Sequence, residues 1–217
     1  MLKLMFRQFL RKDENMSSPI ISVLMIALQI PAVIFVTSLH EFSRAAVSTA
    51  LGDHKPKNEG RLTLNPAKHF EPIGFILMWA TGFGWGKPVE TSPMFYKNRK
   101  RDTIITAVMP SVINLVFAFI ASILYGVVSS GTGVGSVIIA VFLLAVKRYS
   151  VSIAVYNVLP VAPMDCVKVL SCILPANTYF GYMQYEKIIQ MVFLLVLFMG
   201  YIGDFINPII NLIMGII

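Results

Sequence analysis

The chain has 217 residues, 56% of them hydrophobic and 13% charged, with a formal net charge of +7 and a mean hydropathy of +0.73. A soluble domain carries about 25% charged residues, so the composition excludes an ordinary water-soluble fold and makes the lipid bilayer the solvent. The cations lie in short loops between apolar runs, which argues against a nucleic-acid partner and for positive residues retained on the cytoplasmic side of a membrane.

Residues 1–17 place Lys3, Arg7, Arg11 and Lys12 among Leu2, Leu4, Phe6, Phe9 and Leu10. They read as an interfacial amphipathic segment or a frayed tail. The following apolar run is too long, and lacks the cleavage site, for a removable signal peptide. Residues 18–217 then form one membrane domain. Residues 18–39 are free of charge and, at about 1.5 Å per residue, cross a hydrocarbon core of about 30 Å. Pro31 predicts a kink in this helix. The helical pattern continues through His40-Glu41-Phe42-Ser43-Arg44 to Leu51, and Gly52 is a stop signal.

Residues 53–69 are polar, with Lys55, Lys57, Arg61 and Lys68, and the alternation at 61–64 predicts a short strand. The apolar run from Pro72 to Gly86 is short and glycine-rich, which suits a tilted span or a re-entrant segment. Loop 87–102 is the most basic in the chain. Further spans are predicted at 103–125, 136–156 and 187–203, with an uncharged glycine-rich loop at 127–135. The charge asymmetry puts loop 87–102 in the cytoplasm, although the basic N-terminus competes for that side. Lys147 and Arg148 fall inside the third clear span and are expected to snorkel or to line a wet cavity. Pro160 and Pro163 break the segment 157–165, helical residues resume at Val167, and the tail 205–217 is too short to cross untilted. The fold class expected is an all-α integral membrane protein. It has four to six transmembrane or re-entrant segments, with a small irregular or β element after the first helix.

Chemistry concentrates at His40-Glu41, an ionisable pair in the second half of a membrane helix that should face the protein interior. In a zincin helix, histidines four residues apart bind zinc and the glutamate between them activates the metal-bound water. Here the second histidine position holds Arg44. Asp165, in the proline-broken segment, is a carboxylate able to complete a zinc site or to cap the helix that follows. Asn157 carries an amide suited to a substrate backbone or an oxyanion. Cys166 and Cys172 imply no disulfide framework. Trp79 and Trp85 read as packing or interface anchors, and the glycines at 82–86 as either a substrate-binding edge or a close-packing turn.

Several of these blocks together resemble the site-2 protease family of intramembrane zinc metalloproteases. TSLHEFSRAAVSTALG (37–52) resembles its HExxH helix, GRLTLNPAKHFEPIG (60–74) and GFGWGKPV (82–89) its linker, AVMPSVINL (107–115) its Ala-Gly-Pro-x-x-Asn stretch, and NVLPVAPMD (157–165) its Asn-x-x-Pro-x-x-x-x-Asp. The resemblance implies His40 and Asp165 as zinc ligands, Glu41 as catalytic base, and Asn157 with Asn114 as substrate-positioning residues. It also implies transmembrane segments of other proteins as substrates or clients.

The motif is degenerate, HEFSR in place of HExxH, with Cys166 and Met109 at two further positions where the family has glycine. A guanidinium has no lone pair for a metal, and its fixed charge repels one. Arg44 is therefore expected to pair with Glu41 or Asp165. His54 and Cys166 are the conceivable replacement ligands, whereas His69 matches the linker. Two functions follow: an intramembrane metalloprotease by descent, or a pseudoprotease that binds membrane clients. A small transporter is a third reading, for which no inverted repeat is visible.

Overall fold

The computed structural model describes residues 19–131 and 133–217; the interfacial segment expected at 1–17 lies outside them. The described chain is helical. Its elements are α1 (Pro19–Ala50), α2 (Lys55–Asn58), α3 (Pro66–His69), α4 (Pro72–Thr81), a 3-10 turn at Pro93–Phe95, α5 (Arg99–Val128), α6 (Val134–Tyr156), α7 (Cys166–Ile173), α8 (Ala176–Gln184), α9 (Glu186–Phe198) and α10 (Tyr201–Ile216).

Three of these helices, α1, α5 and α6, are long and apolar enough to cross a membrane. A fourth crossing exists if α9 and α10, which meet at a 77° bend, form one broken span. The break falls at Gly200, whose φ of 91° is a left-handed conformation open to glycine. This corrects the expected arrangement: the span at 187–203 stops at Phe198, and the tail belongs to α10. Three or four crossings are thus found among the described residues, beside the short apolar helix α4, where four to six transmembrane or re-entrant segments were expected. Helix α4 spans 10 residues, about 15 Å, half the length that crossing a hydrocarbon core of about 30 Å requires. It ends at Gly82, φ 80°, whose N–H donates to Met78 O at 2.9 Å.

The expected β element at 61–64 is also corrected: among the described residues there is no strand. The backbone there is satisfied locally. Arg61 N–H donates to Pro56 O at 2.8 Å, and Asn65 N–H to Thr63 Oγ1 at 3.2 Å. Leu62 and Leu64, the apolar positions of the alternation, are exposed and have no sheet face to cover. One backbone bond, Lys87 N–H to His69 O at 2.8 Å, joins this linker to the extended chain after α4.

The core is the α1–α5–α6 bundle. Helix α6 packs most extensively on α5, and α1 packs on both. Buried alanines at 32, 118, 121, 140 and 145 let the helices approach closely. One apolar cluster joins Val33, Val36, Met78, Val146, Tyr149 and Ile153. A second joins Phe83, Val151, Tyr156, Met164, Leu197 and Ile206, which ties the α4 return and α9–α10 to the bundle. At the start of α5, three basic residues oppose the positive end of the helix dipole. Asp102 offsets them: it accepts from Arg101 Nε at 2.8 Å and from Asn98 N–H at 3.0 Å, while Asn98 caps the helix.

Candidate active site

Helix α1 carries His40, Glu41 and Arg44 on its inner side. The spacing puts residues 40 and 44 one turn apart on the same face, and all three are buried. Asp165 arrives from the opposite direction, at the end of the irregular segment between α6 and α7. Asn157 holds that segment closed at its base. Its Oδ1 accepts from Asp165 N–H at 3.1 Å, its own carbonyl accepts from Cys166 N–H at 3.0 Å, and its Nδ2 donates to Ile153 O at 2.8 Å. Asp165 stands at the N-cap position of α7, but its carboxylate makes no capping bond. It turns instead toward α1.

There Arg44 ties the two carboxylates together. Its NH1 donates to Glu41 Oε2 at 2.7 Å, and its NH2 donates to Asp165 Oδ1 in a close ion pair. NH2 also lies 3.2 Å from His40 Nε2. His40 Nε2 is 3.1 Å from Asp165 Oδ2, and its Nδ1 is 3.3 Å from Asn114 Nδ2. Because the carboxylate oxygen accepts, Nε2 donates in its bond to Asp165. Lys168 Nζ approaches Asp165 Oδ1 to 3.9 Å. Two carboxylates therefore face two cations beside the His40 ring, so opposite charges are paired within the group. That balance is what makes so many ionisable groups tolerable away from water.

The structure thus brings together His40, Glu41, Arg44, Asn114 and Asp165, with Asn157 behind Asp165. His54 is exposed in the turn after α1 and makes no bond to the site. Cys166 lies beside the site, and both cysteines are free thiols. Cys166 and Asp165 border a cavity of about 220 Å³ whose walls include Val108, Val158 and Val169.

Two participants carry no sequence signal of the usual kind. Val89 N–H donates to Glu41 Oε2 at 2.8 Å, a backbone group that residue type cannot advertise. Lys168 is legible only as the residue one helical turn beyond Asp165. The extended chain that carries Val89 reaches Glu41 because of its glycines. A Cβ on Gly86 would stand 3.1 Å from Glu41 Cγ, and one on Gly84 only 2.1 Å from Gly74 O. The glycines at 84 and 86 thus allow this extended stretch to pack closely on its neighbours. His69 is buried below it, with Nε2 donating to Thr63 O at 2.7 Å. Burial holds this histidine below its ordinary pKa, the Thr63 carbonyl opposing the shift.

Whether the residues fit a zinc ion follows from the donors. His40 and Asp165 are two, and His40 Nε2 spends its position on Asp165. The third place in the motif is filled by a guanidinium that bonds the carboxylates itself. Among the described residues no group of three or more His, Cys, Asp or Glu side chains is arranged to hold a metal ion. The donor set does not fit zinc as it stands.

No family model matches the chain, and no solved structure matches it. Over 182 residues it is 30% identical to "Putative zinc metalloprotease YwhC" of Bacillus subtilis (strain 168), covering 80% of this chain and 81% of that protein. On that similarity, the chain belongs to the zinc metalloprotease family that this relative represents.

Proposed function

We propose that this protein is a site-2 protease-type membrane scaffold that holds transmembrane segments of other proteins without cutting them. The observation that carries this reading is the Arg44 guanidinium, bonded to both Glu41 and Asp165 and in contact with His40. A zincin needs Glu41 free to take a proton from metal-bound water, and His40 and Asp165 free to hold the metal. Here all three serve an ion pair network. Family membership supports the scaffold, and the apolar cavity beside Asp165 offers a place where a client helix can meet the buried polar group. Asn114 acts in this reading as the residue that orients His40, and Asn157 as the one that fixes Asp165.

The proposed location is the cell membrane, with the basic loops 53–69 and 87–102 in the cytoplasm. The test is metal content and cleavage measured on the same preparation. Parent protein purified in detergent is expected to hold far less than stoichiometric zinc and to leave a model transmembrane substrate intact. The Arg44→His variant is expected to gain zinc. Stoichiometric zinc in the parent that disappears with His40→Ala, together with cleavage of the substrate, would establish a hydrolytic enzyme and overturn the proposal.

A further inference from the structure

Lys147 and Arg148 lie within α6 and take no part in the cage around Arg44. Arg148 is 2% exposed, and among the described residues its Nε and NH2 have no hydrogen-bond partner. Lys147 Nζ donates to the neutral Ser122 Oγ at 3.0 Å. Among the described residues neither cation forms an ion pair. Both line a cavity of about 540 Å³ between α5, α6 and α10, whose walls also include Tyr125 and Asn211.

An unpaired guanidinium inside a membrane domain is costly. The cavity gathers residues that can donate, two of them positively charged, and among the described residues no carboxylate lines it. That is a site built for an anion. The helices around it present exposed apolar side chains, Leu124 on α5 and Leu212 and Ile216 on α10. A ligand that reaches the cavity along this surface needs acyl chains to cover them. At about 30 Å³ for each water-sized group, the space admits a phosphate with its glycerol. A guanidinium fork matches two phosphate oxygens. We infer that this cavity binds the phosphate of an anionic phospholipid, with Arg148 and Lys147 as the charge partners and Asn211 as a further donor.

The experiment uses the full chain in neutral detergent micelles. It compares added phosphatidylcholine, phosphatidylglycerol, and phosphatidylcholine with inorganic phosphate. Thermal unfolding and native mass spectrometry are the readouts. Phosphatidylglycerol is expected to raise the unfolding midpoint and to remain bound with roughly tenfold preference over phosphatidylcholine. Arg148→Met should lose both effects. In phosphatidylcholine alone the same variant should be at least as stable as the parent, because the charge it removes has no partner there. Should Arg148→Met fail to fold, Asn211→Leu carries the test and must weaken phosphatidylglycerol retention. Equal retention by parent and variant would overturn the assignment. So would a shift reproduced by inorganic phosphate alone, which would make the site one for a free anion.

Discussion

Arg44 NH1 and Glu41 Oε2 lie 2.7 Å apart across one turn of α1, both buried, and Val89 N–H reaches the same oxygen at 2.8 Å. One carboxylate oxygen thus accepts from a guanidinium and a backbone amide at once. The residue that the motif marks as a general base therefore serves as a structural tie. It links α1 to the extended chain after α4, while Arg44 links α1 to Asp165.

Removing the guanidinium should expose how far the fold depends on it. Arg44→Leu leaves Glu41 and Asp165 buried without their cation, and loss of one partner of a buried pair costs about 3–5 kcal/mol. Adding Glu41→Gln and Asp165→Asn to that variant removes the two stranded carboxylates and leaves only Lys168, whose side chain is partly exposed, so most of the stability should return. Unfolding midpoints of the single and triple variants in detergent check this. A triple variant no more stable than Arg44→Leu would contradict the charge-balance account.

The glycine contact between α4 and the chain that follows is a second point of vulnerability. A Cβ at residue 84 would stand 2.1 Å from the Gly74 carbonyl and 2.6 Å from Met78. Backbone cannot yield as a side chain can, so Gly84→Ala should destabilise by at least the ~1–3 kcal/mol typical of overpacking. It should also loosen the Val89 bond to Glu41. Gly126→Ala, where a Cβ meets open space, is the control and should be neutral or slightly stabilising in its helix. Denaturation of the two variants side by side gives the comparison.

Asp53, fully buried at the end of α1, fastens the same extended chain from its far side. Its Oδ2 accepts from Ser48 Oγ at 2.9 Å and from Ser92 N–H at 2.7 Å, and its Oδ1 accepts from Lys55 N–H at 3.0 Å. Asp53→Ala strands these donors and should cost about 2–3 kcal/mol. The loss should be local first. Hydrogen exchange of residues 86–96 is expected to rise before that of α5 and α6.

His69 gives the protein a pH dependence of definite sign. Burial lowers its pKa below the ordinary 6.5, so the unfolded chain takes the proton first. The stabilisation is complete above pH 6.5 and is lost as the pH falls from there toward the folded value. His69→Gln keeps a donor for Thr63 O and removes the titration. Its unfolding midpoint should fall less than the parent's between about pH 7 and pH 5.5.

Composition and periodicity were enough to determine the membrane setting, the helices around 18–51, 103–125 and 136–156, and the break at 157–165. Hydrophobic runs of membrane-crossing length and proline-broken segments are local properties of a chain. The substitution at Arg44 was equally legible, since a guanidinium cannot act as a metal ligand in any surroundings. The alternation at 61–64 misled because side-chain period alone does not supply a partner strand. The bend at Gly200 divided a continuous apolar run for a similar reason: hydropathy does not register a left-handed residue. Only the tertiary structure decided what Arg44 does. Asp165 lies 121 positions away in the chain, and the Val89 amide looks like any other backbone group until the fold sets it against Glu41. Partner choice in a buried ion network depends on which distant segments meet, and that is fixed by packing.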